Sequence, residues 1–128
     1  MIKMTRREAY EKHKALWNEI AKMIDKGIKY NNPETYKSEA LERLGYYDYT
    51  FNNCYACEVT KCCSDCLVVW KFATCMYQGS EYMNFIYEVE HNNYDSAKEY
   101  ARKIANLPLR EGFDIDKDIY EDDYEVII

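Results

Sequence analysis

Glycine and proline are scarce, at four and two in 128 residues. Every glycine is isolated, which excludes a glycine-rich phosphate loop. No Gly-x-Ser-x-Gly elbow is present to expose a nucleophilic serine. Histidine is limited to two residues, His13 and His91, both well outside the cysteine cluster. No apolar run approaches the roughly 20 residues of a membrane span. The longest patch, Leu67-Val68-Val69-Trp70, is far shorter. The opening Met-Ile-Lys-Met-Thr-Arg-Arg leads into a charged amphipathic segment. With no apolar h-region and no small-residue cleavage site, no signal peptide is expected. The reading is a cytoplasmic protein with no membrane association. A basic excess is also missing: the net charge is -6 and the pI is near 5.0. Nucleic acid is therefore not an expected partner.

Aromatic residues are abundant instead: 14 Tyr, 4 Phe and 2 Trp. Much of the apolar surface thus carries a hydroxyl that needs a partner or water. The negative charge is concentrated at the C-terminal end. From Glu111 to Ile128 there are eight acids against Lys117 alone, a net of -7. The other 110 residues, with 16 bases and 15 acids, are nearly neutral. The expected organisation is one helical domain over residues 1–110 and an acidic tail over 111–128, partly docked or disordered.

Helix signals dominate. Thr5-Arg6-Arg7-Glu8 has the form of a capping box. Behind it, Ala9, His13, Leu16, Trp17, Ile20 and Ile24 recur at three- and four-residue steps, which predicts a helix over about 5–26. Gly27 is a natural C-terminal stop. Asn32-Pro33 supplies an N-cap and a first-turn proline for a second helix, with Tyr36, Ala40, Leu41 and Leu44 facing inward until Gly45. Ser80 caps a third helix, about 81–90, which Asn92-Asn93 breaks. A fourth runs over about 95–106, with Ala97, Ala101, Ile104 and Ala105 on one side and Leu107-Pro108 at its end. The fold class is therefore mainly α, about four helices. Short strands are candidates at Tyr46–Phe51 (otherwise an extended arm), at Leu67–Phe72 (otherwise an apolar turn of helix) and in the tail.

Between the second and third helices lies Cys54-Tyr-Ala-Cys57, then five residues, then Cys63-Ser-Asp-Cys66. Five of the six cysteines fall in these thirteen residues. Reducing compartments keep thiols free, so clustered cysteines there point to metal. A Cys-x-x-Cys turn brings two sulfurs close enough to share an ion, and two such turns complete a tetrahedron. Zinc suits an all-sulfur tetrahedral shell. The expected ligands are Cys54, Cys57, Cys63 and Cys66, with Cys62 and Cys75 as alternates. Free buried cysteines, an iron–sulfur cluster and a redox Cys-x-x-Cys are the competing readings. The spacing fits neither common ferredoxin pattern. A catalytic zinc keeps an open position and usually includes His or carboxylate. The deaminase signature is missing, so the metal is read as structural and the protein as non-enzymatic.

Other residues carry weaker signals. His13 reads as a core-edge imidazole with one hydrogen bond, and His91 as a helix-end residue favoured by the macrodipole. Tyr46, Tyr47, Tyr49 and Tyr55 precede or enter the cluster. They read as packing residues or as a surface that fills a partner pocket, Tyr46, Tyr47 and Tyr49 foremost; base stacking lacks basic residues nearby. Asp114, Asp116, Asp118, Asp122 and Asp123 lack the order of a calcium loop. They read as a solvated acidic face or as a surface for a basic partner.

Thr5-Arg-Arg-Glu-Ala9 with His13 and Trp17, the two cysteine pairs followed by Trp70 and Cys75, and Ala101-Arg-Lys-Ile-Ala-Asn-Leu-Pro108 together resemble small uncharacterised proteins encoded by phages of Gram-positive bacteria. The resemblance covers most of residues 4–110. Leu67 stands where such proteins often have proline, and the acidic tail is not part of the pattern. The resemblance implies a metal-stapled phage or prophage accessory protein acting in the bacterial cytoplasm. The expected function is to bind and inhibit a host protein, for instance one of antiviral defence. The alternative is a sponge that sequesters a signalling nucleotide in a tyrosine-lined pocket.

Overall fold

The computed structural model describes residues 6–46, 68 and 78–108. These residues are mainly helical. Four helices run in order: α1 (Arg6–Asp25), α2 (Pro33–Leu44), α3 (Glu81–Glu90) and α4 (Tyr94–Ala105). Their bounds follow local signals closely. The Thr5 half of the capping box, most of the proposed strand segments, all six cysteines and the acidic tail lie outside the described residues.

The predicted face of α1 is the buried one: Ala9, His13, Leu16, Trp17, Ile20 and Ile24 all sit in the core, joined by Ala21 and Met23. Gly27 ends the helix in the left-handed region (φ 88°), with its N–H donating to Ile24 C=O and the Ile28 N–H reaching back to Met23 C=O. That pair of bonds satisfies carbonyls the helix itself leaves unpaired. α2 opens as its dipeptide demands. Asn32 Oδ1 accepts from the Glu34 N–H at 2.9 Å, and Pro33 occupies the first turn. Gly45 (φ 73°) stops it by the same device. Tyr36, Ala40 and Leu41 are buried, while Leu44 is half-buried.

Ser80 caps α3 through its hydroxyl, which accepts from the Met83 N–H at 3.2 Å. The chain then turns within three residues. Asn92 takes the left-handed conformation (φ 61°) and Asn93 N–H donates to Glu88 C=O at 2.8 Å. α3 and α4 thus form a tight hairpin. Ala97, Ala101 and Ala105 recur every four residues on the buried side of α4, so α4 packs close against its neighbours. α1 packs against α4 and α2, α3 against α4, and α2 touches α3. Late residues of α1 meet early residues of α4, as in the Lys98–Asp25 ion pair at 3.1 Å. The two helices therefore run antiparallel.

An aromatic cluster fills the junction. Trp17 meets Phe85 edge-on at 5.0 Å and Tyr82 at 5.9 Å; Tyr36 meets Phe85 at 6.3 Å and Tyr30 at 5.1 Å. The Tyr36 hydroxyl donates to Ile28 C=O at 2.8 Å and accepts from Tyr30 N–H at 3.0 Å. One buried phenol thereby fastens the α1–α2 connection to the core. Burial raises its pKa above the usual 10, keeping it protonated and able to donate.

Candidate functional site

Three polar or charged side chains are buried among the described residues: His13, Lys37 and Ser80. Each has a structural reason. His13 lies fully in the core rather than at its edge, and its Nε2 approaches Ile104 C=O at 2.9 Å. A carbonyl only accepts, so Nε2 carries the proton. Ile104 stands in the last turn of α4, where its carbonyl would look to the N–H four residues on. That residue is Pro108, which has no N–H. The Leu107 N–H reaches it only at 3.3 Å. His13 on α1 therefore supplies the C-terminal end of α4 with the donor that proline removes.

Burial, not the bond to Ile104, keeps the ring neutral. Burial is the largest influence and lowers the His13 pKa from 6.5 to about 4; the bond to Ile104 opposes it, and Lys14 adds to it. In the unfolded chain the ring takes its proton near pH 6.5. Between 6.5 and 4 the unfolded state binds more protons, so stability falls as pH falls. The loss is complete near pH 4 and amounts to about 3 kcal/mol. The variant His13→Gln keeps an N–H donor but cannot titrate. Denaturant unfolding at pH 7 and pH 4.5 should show wild type losing about 2–3 kcal/mol more than this variant. Equal losses would remove His13 as the acid-sensitive group.

Lys37 was not singled out by its sequence context. Its Nζ is 2.6 Å from the Tyr82 hydroxyl, 3.4 Å from Glu34 and 4.5 Å from the Tyr82 ring centroid. Pro33, Lys37 and Leu41 share one helical stripe, and all three are buried. A lysine on such a stripe lays its aliphatic stem along the core. Here its ammonium joins α2 to α3.

Four half-buried tyrosines follow one pattern. Tyr10, Tyr46, Tyr94 and Tyr100 each have a lysine ammonium (Lys14, Lys12, Lys29 and Lys103) between 5.0 and 5.6 Å from the ring centroid. Such contacts are worth about 0.5–1 kcal/mol at exposed sites. Tyr46 is the one expected partner-binding residue within the described set. It is half-buried against the core, and its N–H donates to Leu41 C=O at 3.0 Å. Tyr47, Tyr49 and Asp114, Asp116, Asp118, Asp122 and Asp123 lie outside that set. So do the expected ligands Cys54, Cys57, Cys63 and Cys66 and their alternates Cys62 and Cys75.

One described residue bears directly on the cysteine stretch. Val68, two positions after Cys66, is fully buried and belongs to the helical core. It is the single residue described between 47 and 77, and sequence patterning left its environment open. Among the described residues, no group of three or more His, Cys, Asp or Glu is placed to hold a metal ion. No described helix is long and apolar enough to cross a membrane. His91 ends α3 as its position suggested, with Nδ1 2.8 Å from Tyr87 C=O. No protein-family model, curated protein or solved structure gives a significant match to the chain.

Proposed function

We propose that this chain is a non-enzymatic, zinc-stapled helical protein that binds and inhibits a protein of the host cell, as a phage accessory factor. Zinc is held by Cys54, Cys57, Cys63 and Cys66, and its task is structural. The observation that carries the reading is the burial of Val68 in the helical core, two residues past the last thiolate. Cys-x-x-Cys pairs at this spacing need only one ion to close the intervening chain. Val68 then ties the closed unit to the helices. Metal binding becomes folding free energy in such an arrangement.

The commitment of other groups supports binding over chemistry. His13 and Lys37 are residue types that acid–base catalysis uses. Here His13 completes a helix end, and Lys37 bridges two helices. The acidic tail and the tyrosines around the cluster supply a surface suited to a basic or aromatic-binding partner.

Affinity capture from host lysate tests the reading, using the full chain and a chain ending at Arg110, each with and without zinc chelation. The expected result is a specific host protein retained by the full chain and lost on chelation. Absence of any specific partner in both forms would contradict it.

A further inference from the structure

The inference deepens the proposed function, because it rests on the reading that this chain binds a protein; it names a surface and the chemistry of what docks there. We propose that the outward stripe of α3, with the acidic depression at the α3–α4 turn, receives a basic protein segment that pairs an apolar side chain with an arginine or lysine.

Met83, Tyr87 and His91 follow one another at four-residue steps and share a face. Phe85 and Val89 are the buried residues of this helix. Tyr87 is 56% exposed, the one large hydrophobic side chain in that state among the described residues. Its ring is not loose. The His91 imidazole stacks on it, with centroids 4.0 Å apart and planes at 23°. His91 Nδ1 is meanwhile held by Tyr87 C=O at 2.8 Å. A preordered aromatic loses little entropy when a partner covers it, which is the property of an interface anchor.

Beside the stripe lies a depression of about 340 Å³ lined by Glu88, Asn92, Asn93, Tyr94, Asp95 and Ser96. Its polar lining holds two carboxylates and suits the head of a basic side chain. The charge is one-sided along this whole stretch: between Lys71 and Lys98 there is no lysine or arginine, while Glu81, Glu88, Glu90 and Asp95 all fall within it. Of the cations near the turn, Lys29 lies over the Tyr94 ring and Lys98 pairs with Asp25. Charge also decides among occupants. The tail from Glu111 to Ile128, at -7, would meet like charge here. A second copy packed face to face would set the same carboxylates against each other. A basic segment of another protein meets opposite charge and an apolar anchor together.

The test is an amide NMR titration of the full chain with a peptide of leucines and arginines at helical spacing. A second peptide with glutamate in place of every arginine serves as its counterpart. The basic peptide should move signals of residues 83–96, with an affinity that weakens as salt rises. Tyr87→Ser should weaken it at least about tenfold. Glu88→Gln with Asp95→Asn should weaken it and flatten the salt dependence. Each variant should melt as the wild type does, since these side chains are outside the core. Shifts confined to other residues, equal binding of the glutamate peptide, or wild-type affinity in Tyr87→Ser would overturn the proposal. So would movement of the same signals on dilution without peptide, or on truncation at Arg110, which would give the surface to a second copy or to the tail. A host protein captured equally by wild type and Tyr87→Ser would sink this surface and leave the binding role standing. Peptide binding at this surface with no host protein captured would do the reverse.

Discussion

Replacing Phe85 by alanine will destabilise the protein by about 3–5 kcal/mol. Phe85 is fully buried and stands edge-on to Trp17 at 5.0 Å and to Tyr36 at 6.3 Å. It thus meets both α1 and α2, as Tyr82 of the same helix does through Trp17 and Lys37. Among the described residues, direct packing between α2 and α3 is sparse. The loss combines apolar transfer, an unfilled cavity and two aromatic contacts, each of the latter worth about 0.5–1.5 kcal/mol. Phe85→Leu conserves most of the volume and should cost about 1.5 kcal/mol. Urea unfolding monitored by far-UV dichroism separates the cases. The alanine variant should show a lower midpoint at unchanged slope. A loss below about 1 kcal/mol would mean that the cavity closes or that the cluster contributes little to the core.

The same cluster shows what the sequence made legible and what it did not. Helix ends were readable because caps are local: Asn32-Pro33, Gly45, Ser80 and Gly27 act within one turn of themselves, and each sits where its chemistry requires. The apolar faces of α1 and α4 were readable from their spacing for the same reason. Lys37 was not, since a lysine on an apolar stripe is ordinarily exposed, and only the approach of Tyr82 from a distant segment explains its burial. His13 was half-readable. Its place on the α1 face was evident, but its task depends on Pro108 and Ile104, more than ninety residues away. Tyr87 was hidden inside the most apolar of the four helices, where composition suggests burial on every side. The metal ligands are proposed from spacing alone, since all six cysteines lie outside the described residues. Val68 is what links that stretch to the fold.

Removing the proposed zinc should have the second large effect. In the proposed arrangement, with the thiolates of Cys54, Cys57, Cys63 and Cys66 closed on one ion, the metal would offset the entropy of the long connection between α2 and α3. The four helices retain a core of their own, from Leu16 and Ile20 through Phe85 and Ile104. Loss of zinc should therefore lower stability strongly without abolishing helicity at room temperature. Ligand thiols must be deprotonated to bind, so zinc affinity should also weaken as pH falls. Val68→Ala should weaken it as well, by loosening the attachment of the closed unit to the helices.

The decisive measurement pairs metal content with a thermal melt, on the reduced full chain and its six single Cys→Ser variants. One zinc per chain is expected in the wild type, and excess chelator should lower its melting temperature by at least about 10 °C. Serine at 54, 57, 63 or 66 should reproduce the chelated melt, whereas serine at 62 or 75 should leave both metal and melt unchanged. A chain that is purified without metal and melts cooperatively at one temperature with or without chelator would contradict the zinc-stapled domain outright.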